Sequence, residues 1–246
     1  MRADKGTGLA IRYVVAIAIT LIFLFPIYWL AIISFKTPNE IFAFPPVWWP
    51  EAIQFANYRV LFKDGDVDAI WNSLVIAGVS TTVAMFFGTM CAYSIARFRT
   101  GGNFLGEWII SNRMIPPIAI VFPIFLLYVR LGWVDTYIGL ILLLVDGCSR
   151  WRVFVKVVLP MARGGIFATA VFTFIFAWNE FIFALVLTRS NVTTFPVQVT
   201  HYFGVDSTFW AKISAMSMLG MVPIFIVVAA MQKFIVRGIS LGAVKG

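Results

Sequence analysis

Charge is what this chain has least of. Only 12% of its 246 residues are Asp, Glu, Lys or Arg, while 61% are hydrophobic and the mean hydropathy is +0.93. A soluble domain needs roughly a quarter of its residues charged to cover its surface, so a water-soluble fold is excluded and an integral membrane protein is expected. There are two cysteines, Cys91 inside an apolar run and Cys148 in a basic segment, and neither position suits a disulfide framework. The single histidine, His201, has no neighbours at metal-ligand spacing, so no metal site is expected. Also missing are a Walker lysine motif, a nucleophile elbow and any cofactor fingerprint, which argues against ATP hydrolysis or other catalysis by this chain and against a bound cofactor. The net charge of +8 is distributed as membrane orientation requires, so no nucleic-acid partner is inferred.

Long apolar runs are abundant. Tyr13–Phe35, Ala69–Ala96 and Ile213–Gln232 are uncharged and meet the roughly 20 residues that a span needs. Phe104–Val129, interrupted by Glu107 and Arg113, and Gly164–Thr188, interrupted by Glu180, also read as spans. The first run is too long for the 7 to 15 apolar residues of a signal peptide and lacks a clear cleavage site, so it is expected to be a retained first helix. Basic residues at both ends and at Arg97, Arg99, Arg150, Arg152, Lys156 and Arg163 share one side if the spans alternate, against Asp4 and Asp146. The positive-inside bias puts both termini in the cytoplasm.

One crossing is too short. Between Asp135 and Asp146 only the ten residues Thr136–Val145 are available. A helix of that length covers about 15 Å of a hydrocarbon core about 30 Å thick. Carrying the helix through Asp146, Arg150 and Arg152 places charges in lipid at about 3 kcal/mol each.

The segment "VDGCSRWRVFVKVVLP", 145–160, follows directly. Trp151, Phe154, Val155 and Val158 share one helical face, with Arg152 and Lys156 on another at i, i+4. Asp146 suits an N-cap, Gly147 a sharp entry and Pro160 a stop. The pattern is a short amphipathic helix on the cytoplasmic side, either lying on anionic lipid or presented to a partner. Other polar residues in apolar surroundings leave similar alternatives. Glu180, with Trp178 and Asn179, faces a bundle interior or water path or sits at the outer interface, where Trp178 is a belt residue. Asn179 is a candidate for sugar hydroxyls and Trp178 for stacking on a sugar ring. Asn112 and Arg113 pose the same choice beside Pro116, Pro117 and Pro123, which break the helix there; broken helices are tolerated where they line a cavity. "FAFPPVWWP", 42–50, is an external loop suited to interfacial anchoring or to contact with an external protein.

Several stretches together resemble the permease subunit of bacterial carbohydrate ATP-binding-cassette importers of the maltose/glycerol-phosphate/trehalose type. They are "NSLVIAGVSTTVAMFFGTMCAYSIARF", "RMIPPIAIVFPIFLLYVRLGWVDTYIGLIL", the Asp-Gly segment above, "FTFIFAWNEFIFALVLT" and the tail "VRGISLGAVKG". The resemblance implies an all-α polytopic transmembrane bundle of the type I importer permease fold, about six spans with the fourth truncated. It divides the chain into a first helix with an external loop (1–68), a permease domain (69–237) and a cytoplasmic tail (238–246). It implies a multi-pass inner-membrane protein that forms half of a sugar pathway with a second, different permease. Its other partners are two cytoplasmic ATP-binding subunits, an extracytoplasmic sugar-binding protein and lipid. Asp146, Gly147, Arg150, Arg152, Phe154, Lys156 and Pro160 are then the ATPase-coupling residues. The chain departs from the family pattern where "LLLVDG" joins the fourth span directly to Asp-Gly, so a deletion is expected between about Leu142 and Val145. Two rival readings are a truncated remnant that inserts without coupling and a secondary transporter. The latter is disfavoured because it should show internal repeats and intramembrane ion ligands.

Overall fold

A computed structural model describes residues 4–112, 114, 116–143, 159–203 and 209–243. Among them the regular structure is helical, in eleven segments: α1 (Asp4–Ser34), α2 (Pro38–Ile41), α3 (Ala56–Lys63), α4 (Asp68–Phe98), α5 (Gly102–Asn112), α6 (Pro117–Leu131), α7 (Tyr137–Leu143), α8 (Leu159–Trp178), α9 (Ile182–Leu187), α10 (Phe195–His201) and α11 (Phe209–Ala243). Leu9–Ser34, Asp68–Phe98 and Phe209–Gln232 are long and apolar enough to span a bilayer, matching the three uncharged runs. The chain forms two compact units, one of residues 1–65 and 201–219, the other of residues 66–200 and 220–246.

In the first unit, the end of α1 is tied to α3. Ser34 Oγ and Tyr58 Oη are 2.8 Å apart, Asn57 Nδ2 donates to the Ser34 carbonyl at 2.9 Å, and Phe35 packs on Phe55 and Tyr58. These bonds satisfy a carbonyl that the helix end leaves without an intrahelical donor. The short α2 exists because Thr37 and Glu40 form a capping box with Pro38 in the first turn, so two otherwise orphaned N–H groups are bonded reciprocally. Thr37 and Glu51 backbone N–H bonds hold the Glu40 carboxyl below its ordinary value. Lys212 reaches Asp64 at 3.8 Å, a partly exposed pair of small energetic consequence.

In the second unit, α4 packs chiefly on α8 and also on α7, while α9 packs on α6 and α7. The α4 face that does this carries Ser73, Ala77, Ser80 and Thr81, small residues that let helices approach closely in lipid. One core cluster joins Ala77, Phe174 and Trp178 with Phe195, Ile224 and Val227 around it; another joins Ile76, Leu140, Ala184, Val192 and Val197.

Two expected spans are broken. Phe104–Val129 divides into α5 and α6: Pro116 is extended (φ −60°, ψ 130°), because the following Pro117 crowds a helical geometry. Gly132, with φ 67°, then ends α6, a left-handed position that glycine takes without penalty. Gly164–Thr188 divides into α8 and α9, where side chains first supplement the helical ladder and then replace it. Asn179 Nδ2 donates to the Ile175 carbonyl at 2.8 Å, and Glu180 accepts the Phe183 and Ala184 N–H groups at 3.0 and 2.9 Å. Such local bonds compete with continuation of a helix.

Candidate functional site

The break between α8 and α9 is where polar residues expected to be functional come together. Trp178, Asn179 and Glu180 follow one another there. Glu180 is half-buried, and its carboxylate is engaged by two amides at the start of α9, where the helix dipole also favours a negative charge. Asn179 is exposed. Trp178 is enclosed by protein and not open for stacking on a sugar. It is 1% exposed, with Phe174 stacked at 5.8 Å and 26° and Phe195 tilted at 5.9 Å and 32°. Its ring is thus occupied by protein, and its Nε1–H is buried without an acceptor. Asn112 is the last residue of α5, which packs on α4. Arg113 lies outside the described residues.

The coupling candidates Asp146, Gly147, Arg150, Arg152, Phe154 and Lys156 also lie outside the described residues, as does the junction at Val145. Pro160 stands in the first turn of α8, where its missing N–H is one the helix leaves unpaired anyway. It therefore opens α8, whereas the sequence pattern expected it to stop a preceding helix; that helix lies outside the described residues. The fourth crossing is described only as α7, Tyr137–Leu143, seven residues long.

A polar network missing from the sequence reading joins the starts of α4 and α7 to residues 188–198. The Tyr137 hydroxyl donates to Asn72 Oδ1, and Asn72 Nδ2 donates to the Thr193 carbonyl at 2.9 Å. Ser73 Oγ accepts the Phe195 N–H at 2.7 Å, and Gln198 Nε2 donates to Asp66 Oδ1 at 2.7 Å. Asp135, in the left-handed region at φ 59°, accepts three backbone N–H groups: Arg189 at 2.9 Å and Val192 at 3.1 Å on Oδ1, and Asn191 at 3.1 Å on Oδ2. Its own N–H donates to the Leu187 carbonyl at 2.8 Å. The available signal was Asn72-Ser73 at the start of an apolar run and an acid two residues after Trp133. Among the described residues no three His, Cys, Asp or Glu side chains are grouped as a metal site would require.

Residues 141–241 match the family described as binding-protein-dependent transport system inner membrane component. A probable ABC transporter permease protein, y4oR of Sinorhizobium fredii, is 32% identical, and the alignment covers 91% of each chain. The trehalose/maltose transport system permease protein MalG of Thermococcus litoralis is 29% identical over 94% of this chain and 95% of its own. The fold is that of a chain in a solved bacterial ABC transporter involved in the import of the acidic polysaccharide alginate, with a TM-score of 0.69 at 20% identity over 95% of this chain and 98% of that one. The y4oR alignment runs over 253 positions yet takes in 91% of these 246 residues, about 224, so about 29 positions have no counterpart here. A relative 32% identical over nine-tenths of both chains settles kinship: the protein belongs to the binding-protein-dependent transport system inner membrane components, the multi-pass permeases of ABC transporters.

Proposed function

We propose that the chain is the permease subunit of an ATP-driven carbohydrate importer, pairing with a second permease to enclose the pathway. The sugar class rests on the match to a trehalose/maltose permease along nearly the whole of both chains. ATP-binding subunits in the cytoplasm dock on the segment from Asp146 to Pro160, and an external binding protein delivers the sugar. Closure of the ATPases pushes on this segment and switches the access of the pathway, a two-state change transmitted by packing. Asn112, Arg113 and Asn179 are the pathway candidates, whereas Trp178 and Glu180 support the break beside them.

Reversing both charges at Arg152 and Lys156 is expected to reduce co-purification with the ATPase and sugar uptake together. Unchanged co-purification and uptake, with weaker membrane association of about 1 kcal/mol per basic residue, would instead assign the segment to lipid. For orientation, a cysteine replacing Ser149 should label only from the cytoplasmic side and one replacing Asn191 only from outside. External labelling at Ser149 in intact cells overturns this topology.

The shortfall in the fourth crossing belongs to this reading. A crossing about 15 Å too short supports a missing segment before Asp146, and the y4oR alignment leaves about 29 positions without a counterpart, enough for a segment of that size. Inserting a family-length segment between Val145 and Asp146 is expected to raise ATP-coupled uptake several-fold. Equal uptake with and without the insert would show that the short crossing suffices.

A further inference from the structure

The apolar part of α1, Leu9–Ser34, has 26 residues and is about 39 Å long, exceeding a hydrocarbon core of about 30 Å. Beyond its end the chain folds back along the helix. The Trp48 ring lies 6.4 Å from Phe25 and 5.4 Å, edge-on, from Trp29, and Tyr28 Oη donates to the Trp48 carbonyl at 3.0 Å. Phe25 and Trp29 precede Ser34 by nine and five residues, so Trp48 sits about 8–13 Å back along the helix from its end. With the excess length of α1 shared between its two ends, the hydrocarbon boundary falls about 4–5 Å from Ser34. Trp48 is then just inside it.

The composition of the turn suits that depth. Residues 41–50 carry no charge, and three of the ten are proline, so three N–H groups that a non-aqueous setting would leave unpaired are absent. Phe44 is 95% exposed and Trp49 64%. The nearest cation, Lys36, is buried: its ammonium donates to the Val47 carbonyl and lies 4.4 Å from the Trp29 ring centre. Burial lowers its pKa against the opposing pull of Glu40. We propose that residues 41–50 form an aromatic hairpin inserted at the headgroup–hydrocarbon boundary beside α1, its exposed Phe44 and Trp49 in contact with lipid, fixing the depth of the first span. Aromatic side chains are favoured at this level of the bilayer, and the hairpin is continuous with a span that enters it.

The test is a nitroxide at Phe44→Cys in a Cys91→Ala, Cys148→Ala background, with the assembled transporter in lipid bilayers. Collision with oxygen, which concentrates in lipid, is compared with collision with a water-soluble nickel chelate. Oxygen is expected to dominate at Phe44→Cys and the chelate at Lys63→Cys. Fluorescence supplies a second readout: brominated acyl chains should quench the full chain, and Trp49→Phe should remove part of the quenchable signal. Dominance of the chelate at Phe44→Cys puts the hairpin in water and overturns the proposal. Exclusion of both reagents does so as well, by giving the face to a protein partner.

Discussion

Trp178→Ala is expected to cost about 3 kcal/mol of stability. In lipid the transfer of an apolar side chain from water contributes little, since the unfolded helix remains in hydrocarbon, which leaves the cavity as the main term. At about 24 cal/mol per Å³, a void on the order of 100 Å³ or more yields that magnitude. Trp178 is among the largest fully buried side chains, held between Phe174 and Phe195. Trp178→Phe is expected to cost under about 1.5 kcal/mol, because it keeps an aromatic ring there and removes an indole N–H that has no acceptor. Thermal unfolding of the purified protein in detergent reads both values, alongside sugar affinity of the transporter. An alanine variant as stable as the parent but weak in sugar binding would reinstate Trp178 as a pathway residue.

The second large effect is at Asp135. Glycine keeps the left-handed backbone conformation without strain while deleting the acceptor for Arg189, Asn191 and Val192. Hydrogen bonds to charged groups are worth about 1.5–3 kcal/mol each; the site is only half-buried and water replaces part of this, so about 2 kcal/mol in total is expected. Asp135→Ala should be worse by about 1–2 kcal/mol, because its φ of 59° disfavours a Cβ. Asp135→Asn, retaining one carbonyl oxygen, should fall between parent and glycine. Hydrogen exchange at the three amides should accelerate roughly 30-fold in Asp135→Gly, since each 1.4 kcal/mol is a factor of ten. Unchanged exchange there would show that Asp135 does not hold these three amides.

How much of this was readable beforehand depends on the range of the interaction. The three uncharged runs declare their helices because hydrophobic length is a local property, and the proline pair at 116–117 declares a break for the same reason. The division of α8 from α9 is partly visible, since Asn179 and Glu180 are polar within an apolar segment; that they bond to their own backbone, and so end one helix and cap the next, is not. Asn72 and Thr193 are 121 residues apart, and no periodicity announces such a pair. The burial of Trp178 was illegible for a related reason: a tryptophan near a polar break looks the same whether its neighbours are lipid, sugar or Phe195.

All three groups that Asp135 accepts from residues 189–192 are main-chain amides. Such an anchor is indifferent to which side chains the loop carries, proline at the three donating positions aside. Arg189, Ser190 and Asn191, all exposed, are therefore free to diverge without loosening the attachment. A transporter whose relatives serve different cargoes gains from this arrangement a stretch of surface that can drift in sequence while its backbone stays put.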